Sequence, residues 1–307
     1  MPGDATQGSP SDPSYLSTEA DKKQREWYRF IMRLLREPGA FTGIIMLALL
    51  VTGAVLAPYL TPYEYDQQIT GAVLQPPFWS PGGSTEHLLG TDSLGRDLLT
   101  RVLYGARVSL IVGVMAVVIQ GVVGSVLGLV AGYFGGPIDS LIMRLLDIQF
   151  SIPFLVLAMG ILMVLGSGFT KVIIVLGLTG WIMYARIVRG QVLSLRETEF
   201  ILAARCLGTR HSRIIGRHIL PNVLGSIVVV ATLQVPRMIL AEASLSFLGL
   251  GVQPPTPAWG SMVAAGRDYL FGYWWVATIP GIAISLTVLA INQVGDTLRD
   301  LLDPTLR

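Results

Sequence analysis

The sequence predicts an all-α integral membrane protein of six transmembrane helices, and three observations predict it. Of 307 residues, 52% are hydrophobic and only 14% charged, where a soluble domain carries roughly 25% charged residues. Mean hydropathy is +0.60. The apolar residues are also gathered into charge-free runs, and about 20 such residues suffice to cross the hydrocarbon core of a bilayer. The same composition excludes other classes. A net charge of +2 is too small to suggest nucleic-acid binding. The single Cys206 rules out an intramolecular disulfide and a cysteine zinc cluster. Residues 1–36 are polar and then basic, without the apolar core of a cleavable signal peptide.

Each span follows from one run. Gly39 to Tyr63 carries no charge and predicts a first span near 41–60. Val108 to Ile138 predicts a second near 109–131, and Ile148 to Thr170 a third near 151–167. Val172 to Ala185 is short, but Lys171 and Arg186 can snorkel at its ends, which gives a fourth span near 170–188. His218 to Pro236, broken by Arg237 and reaching towards Glu242, predicts a fifth near 222–240. Tyr269 to Gly295 predicts the sixth near 273–293. Within the second span, Gly124, Gly128 and Gly132 repeat every four residues. They line one face and let another helix approach closely, for plain packing or for a moving interface.

Basic residues orient the spans, because short cytoplasmic loops carry the excess of Lys and Arg. With the amino terminus inside, the inner side holds Lys22, Lys23, Arg25, Arg29, Arg33, Arg36, Arg144, Arg186, Arg189, Arg196, Arg205, Arg210, Arg213, Arg217, Arg299 and Arg307. The outer side holds Arg96, Arg101, Arg107, Lys171 and Arg267, a split of 16 against 5. Both termini are then cytoplasmic, outer loops run near 61–107 and 242–271, and a large inner loop runs near 186–221. Trp79, Trp259, Trp274, Trp275, Tyr59 and Tyr63 fall near the outer interface, where amphipathic rings form a belt.

Catalytic and metal chemistry is not signalled. The run Gly166 to Lys171 lacks the G-x-x-x-x-G-K-[ST] order of a phosphate loop and reads as a turn between spans. There is no H-E-x-x-H, and His87, His211 and His218 are too scattered for the usual metal spacing. No G-x-S-x-G elbow appears. The expectation is a protein that is not an enzyme, with no catalytic residue, no metal and no bound cofactor.

The inner loop is the most informative stretch. It is helical in propensity to Leu207, broken at Gly208, where a left-handed turn is cheap, and followed by a second amphipathic helix expected to end before Pro221. Two short helices joined at a glycine and dense in arginine suit a partner protein, or an anchor on anionic lipid. This stretch resembles the cytoplasmic coupling motif of ABC importer permeases, E-A-A-x3-G-x9-I-x-L-P. Ala203, Ala204, Gly208, Leu220 and Pro221 fall on motif positions, while Leu202 stands where Glu is usual and His218 where Ile is usual. HLLGTDSLGRDLLTRVLYGARVSL, from His87 to Leu110, is similar to the signature before the second span of peptide/nickel-type permeases. EASLSFLGLGVQPPTPAWG, from Glu242 to Gly260, resembles the segment after the fifth span in the same family.

The resemblance covers roughly residues 30–307 and is closest to the C-type subunit of dipeptide/oligopeptide importers. It implies the type I ABC importer permease fold: a cytoplasmic tail (1–40), a first span with its outer loop (41–107), a five-helix core (108–296) with a coupling loop at 190–221, and a cytoplasmic tail (297–307). It implies a bacterial inner-membrane location, a sister permease, two cytoplasmic ATPase subunits that hold ATP and Mg, and an extracytoplasmic binding protein. Ala203, Ala204, Arg205, Gly208, Leu220 and Pro221 would couple to the ATPase. Glu242, Ser244, Ser246, Phe247 and Gly249 are candidates for the path or outer gate, on a segment expected to break the fifth span, because an intramembrane ionisable group is functional by default. A local ion pair of Glu242 with Arg237 is the structural alternative. Dipeptides and oligopeptides are the expected cargo, with nickel chelates or oligosaccharides as alternatives. A gradient-driven secondary transporter, which would show paired broken helices, is the rival class.

Overall fold

The computed structural model describes residues 32–302. The expected tail over 1–31, with Lys22, Lys23, Arg25 and Arg29, and the end from 303, with Arg307, lie outside the described residues. The elements are α1 (Pro38–Leu60), α2 (Leu98–Phe134), α3 (Gly136–Phe150), α4 (Phe154–Leu165), α5 (Phe169–Thr179), α6 (Ile182–Leu195), α7 (Glu199–Cys206), α8 (Leu220–Phe247), α9 (Trp259–Gly266) and α10 (Trp275–Leu302). Five stretches are long and apolar enough to cross a membrane, and the bent pair α3–α4 makes a sixth if counted as one span.

α2 is the hub, packing on α1, α3, α5, α6 and α8. It begins well before residue 109. Asp97 caps it by accepting from the Thr100 amide at 2.8 Å and the Thr100 hydroxyl at 2.7 Å, which satisfies an orphan donor of the first turn. Its early arginines are absorbed by neighbours. Arg101 donates to the Tyr65 carbonyl at 2.9 Å. Arg107 donates to the Ala54 and Val55 carbonyls. Ala54 is four residues before Pro58, which lies inside α1 and has no N–H to offer, so the guanidinium replaces the lost helical bond.

Gly124, Gly128 and Gly132 face α6. A Cβ at Gly124 would lie 2.3 Å from the Trp181 carbonyl oxygen, one at Gly128 2.7 Å from that of Ala185, and one at Gly132 2.8 Å from the Val192 Cβ. The two helices therefore touch through backbone, as small-residue faces allow.

The spans depart from the sequence expectation at several places. The third is helical over Phe154–Leu165, within 151–167, but is short and joins α3 at a bend of 88° across Ser151–Pro153. The fourth breaks at Gly180–Trp181 and then runs on to Leu195, so Arg186 and Arg189 sit in a helix and not in the inner loop. Arg189 is tolerated there because Asp139 of α3 accepts from it twice, at 2.5 and 2.6 Å. The fifth is not interrupted at Pro221. A helix starts at His211 and passes through a π-helical turn, Ile214–Ile219, into α8; a π-turn re-phases the backbone just where Pro221 lacks a donor. Nor does it break at Glu242, since α8 continues to Phe247. α10 likewise runs past 296.

The apolar core lies between α2, α5, α6 and α8, around Val112, Ala116, Leu176, Tyr184, Met238 and Leu245. Large apolar side chains also point outward, among them Leu49, Val122, Ile148 and Val164, which in water would form an unstable patch and in this chain meet lipid or another subunit. Trp79 and Trp274 are exposed as a belt requires, but Trp259 is fully buried. Its indole donates to the Val102 carbonyl at 2.9 Å, and its ring packs against Gly105.

Candidate functional site

Three helix interruptions meet at one level of the bundle. Gln120 of α2 donates to the Leu176 carbonyl at 3.0 Å and touches the Met238 sulfur. At 1.5 Å per residue this level is more than about 20 Å from either end of α2. α5 stops here at Thr179, leaving terminal carbonyls without helical partners. Glutamines supply them: Gln149, beside the α3–α4 bend, donates to the Thr179 carbonyl at 2.6 Å and accepts from the Trp181 indole at 2.8 Å. A Cβ at Gly180 would lie 2.2 Å from Gln120 Nε2, so only glycine admits this approach. On α8, Pro236 offers no N–H to the Thr232 carbonyl four residues back.

Between these interruptions opens a cavity of about 670 Å³. Its walls are mainly apolar, with Phe154, Met183 and Met238, and its polar groups are Thr179, Arg186, Gln234, Arg237 and Ser244. Non-helical backbone at membrane depth is tolerated only where protein or a water-filled cavity surrounds it. The interrupted backbone here is flanked by such a cavity.

Of the gate candidates, Ser244 lines the cavity, while Glu242 does not. Glu242 is 0% exposed and accepts from the Ser109 hydroxyl at 3.1 Å and the Ser246 hydroxyl at 2.6 Å. Ser246 in turn accepts from the Val252 amide at 3.2 Å. The group ties α2, α8 and the return loop together. α9 closes on the same spot, because a Cβ at Gly260 would lie 2.2 Å from the Ala243 carbonyl oxygen. The ion pair with Arg237 does not form; Arg237 donates to Gln234 Oε1 at 3.3 Å. Phe247 and Gly249 are exposed where α8 ends. Gly249 takes φ +80°, the left-handed region that favours glycine.

The loop between α6 and α8 holds the second candidate surface. α7 ends in a Schellman turn: the Thr209 amide donates to the Ala204 carbonyl at 3.1 Å and the Gly208 amide to the Arg205 carbonyl at 2.9 Å, with Gly208 at φ +71°. Ile201 is buried with Leu129, Val188, Ile219 and Val223. Phe200, Leu202, Ala203 and Leu207 face outward, Leu207 at 85% exposure. Arg205 turns inward, its guanidinium 4.8 Å from the Tyr133 ring centre, and the Tyr133 hydroxyl is 2.7 Å from His211 Nδ1. Leu220 and Pro221 lie on the continuous helix above. Among the described residues no group of three His, Cys, Asp or Glu stands together as a metal site.

A family model described as binding-protein-dependent transport system inner membrane component matches residues 124–307. The chain belongs to this family. A second model, the N-terminal TM domain of oligopeptide transport permease C, matches residues 26–77. The di/tripeptide transport system permease protein DppC of Pseudomonas aeruginosa is 42% identical over 297 residues, 97% of this chain and 96% of that one. The dipeptide transport system permease protein DppC of Bacillus subtilis is 44% identical over 276 residues, 90% and 84% of the two chains. In fold, this ABC importer permease is similar to a chain of the MetNI methionine ABC transporter solved in inward-facing conformations. That likeness has a TM-score of 0.53 and 21% identity, covering 66% of this chain and 96% of the other.

The sequence did not point to Gln120, Gln149, Gly180 or the cavity face of Arg186 in this permease. The available signal was each glutamine's isolation in an apolar run, where a lone amide needs a partner.

Proposed function

We propose that this chain is one half of the transmembrane path of an ATP-driven importer of short peptides in a bacterial inner membrane. The observation that carries this reading is its 42% identity, across nearly its whole length, to a di/tripeptide permease. The cavity volume of about 670 Å³ supports it, being within the roughly 300–1,000 Å³ of small-ligand sites.

The sister permease supplies the other wall. Two cytoplasmic ATPase subunits bind ATP and Mg, this chain holding no cofactor of its own, and an extracytoplasmic binding protein delivers the peptide. Both termini face the cytoplasm. The outward face of α7, with Phe200, Leu202 and Ala203, is the docking surface. Leu202 in place of the usual Glu makes that contact apolar. Closure of the ATPases pushes α7, and Ile201 carries the push to α2, α6 and α8 through one buried cluster. α6 and α8 both border the cavity, so their displacement alternates its access. Ser244 lines the path, Phe247 and Gly249 stand at its mouth, and Glu242 with Ser246 holds this end of α8 in place.

The test is uptake of radiolabelled trialanine into proteoliposomes holding the complete complex. Uptake should require ATP and binding protein and ignore a proton or sodium gradient; gradient-driven uptake without ATP would refute the reading. For topology, single cysteines at Thr85 and Ser212 in a Cys206→Ser background should label from outside and inside respectively.

A further inference from the structure

We propose that Arg237 is the receptor for the C-terminal carboxylate of the passing peptide, an assignment that rests on the peptide-import reading above. A guanidinium inside a spanning segment is costly and is normally paired. Arg237 lies on the open wall of the cavity, its side chain exposed there, and among the described residues it makes no ion pair. Two arginines of other spanning helices have a carboxylate, Arg101 with Asp92 at 3.4 Å and Arg189 with Asp139, and Arg107 has two backbone carbonyls. Arg237 is bonded only to Gln234 Oε1, at 3.3 Å. A neutral acceptor orients a guanidinium without neutralising it, and leaves most of its five donors free.

The cavity lining contains two arginines and no carboxylate. Arg186, the second, stands 3.6 Å from Asp147 at the exposed ends of both side chains. The cavity is thus positive and mainly apolar, which suits a ligand that brings one carboxylate and apolar side chains. Such a carboxylate can take a planar, two-pronged grip from Arg. The C-terminal end of α5, at Thr179 and Gly180, is part of the same wall, and its partial negative charge favours the ammonium end of the same molecule. Glu242, the sequence's acidic candidate for the path or outer gate, is sealed off by Ser109 and Ser246. Charge selection in this chain therefore works on the peptide's carboxylate and not through Glu242.

The experiment compares trialanine with trialanine amide in proteoliposomes of the complete complex, for wild type, Arg237→Gln and Arg237→Lys. The binding protein's own preference is common to all three and cancels in the ratio of ratios. Where the binding protein refuses the amide, equilibrium binding of both peptides to the permease–ATPase complex alone makes the same comparison. Arg237→Gln should lower uptake or binding of the free acid by roughly 10- to 100-fold, as expected for loss of a charged hydrogen bond. The amide should change by less than about twofold, and Arg237→Lys should recover part of the loss. Equal losses for both peptides, or no loss for either, would overturn the assignment. Equal losses with failure of the sister permease to co-purify would instead give Arg237 a carboxylate of that subunit as partner. Uptake of neither peptide by assembled, ATP-hydrolysing wild type would overturn the peptide reading itself, and this assignment with it.

Discussion

The chain holds its charged groups in two opposite ways. In the loop before α2, the buried acids are fully paired. Asp92 accepts from the Leu94 and Arg96 amides at 2.9 and 3.0 Å and from the Arg96 guanidinium at 2.7 Å, with Arg101 at 3.4 Å. Asp97 accepts from His87 and from Thr100 twice. On the cavity wall, among the described residues, Arg237 meets an amide, and Arg186 an exposed acid at 3.6 Å and the Phe150 ring. A buried charge that is satisfied internally specifies a fold. A guanidinium exposed on an open wall is free to meet a group from outside the chain. On the proposed function the first region is scaffold and the second is the path, and substitutions should separate them by stability loss against transport loss.

The largest stability effect should come from Asp97→Ala. It strands His87, uncaps α2 and leaves the Thr100 amide without its acceptor. Removing one partner of a buried pair costs about 3–5 kcal/mol, read as a lower thermal midpoint of the purified complex. An unchanged midpoint would show that the network before α2 is not scaffold.

Gln120→Leu comes next. It leaves the Leu176 carbonyl unpaired at the end of α5, a cost of about 1–3 kcal/mol, and removes the group that keeps Gly180 close. Uptake should fall together with thermal stability, because the broken span and the cavity are one construction. Full stability with lost uptake would move Gln120 from scaffold to path.

Glu242→Gln should have a smaller effect, about 1 kcal/mol or less, since an amide still accepts from one serine and the other hydroxyl can rotate to accept from it. Uptake should stay within about twofold. If uptake collapsed while stability held, Glu242 would contact substrate, as its position in the sequence suggests.

Legibility in the sequence followed the range of the interactions. α1, the middle of α2 and α10 were visible because a charge-free run needs no partner to be a helix in lipid. Gly124, Gly128 and Gly132 were visible because a period of four is local. The ends of α2 and α6 were misjudged because Arg101, Arg107 and Arg189 look like loop charges until Asp92, the Ala54 carbonyl and Asp139 are brought beside them. Glu242 looked like a break in the span for the same reason; its partner Ser109 is on another helix. The bends at Ser151–Pro153 and Gly180–Trp181 depend on Gln149 and Gln120, whose acceptors are 30 and 56 residues away. The cavity lies between those bends, so it was hidden along with them.

The smallest stability effect should be that of Arg186→Gln, and it divides the two regions most finely. The Arg186 and Asp147 side chains are 51% and 73% exposed and 3.6 Å apart, and the guanidinium also lies 5.1 Å from the Phe150 ring centre. An exposed pair of this kind contributes roughly 0–1 kcal/mol, so the thermal midpoint should barely move. Transport is a separate matter, because Arg186 and Arg237 line one cavity whose wall holds no carboxylate. Removing one of two cations from that space should weaken attraction for an anionic group and raise the KM for trialanine several-fold, with the maximal rate less affected. The amide should show no such rise. If the midpoint instead fell as far as in Asp97→Ala, Arg186 would be paired as tightly as the acids before α2, through a group on the sister subunit. The cavity wall would then be scaffold on that side, and the path would narrow to the face of α8 that carries Arg237 and Ser244.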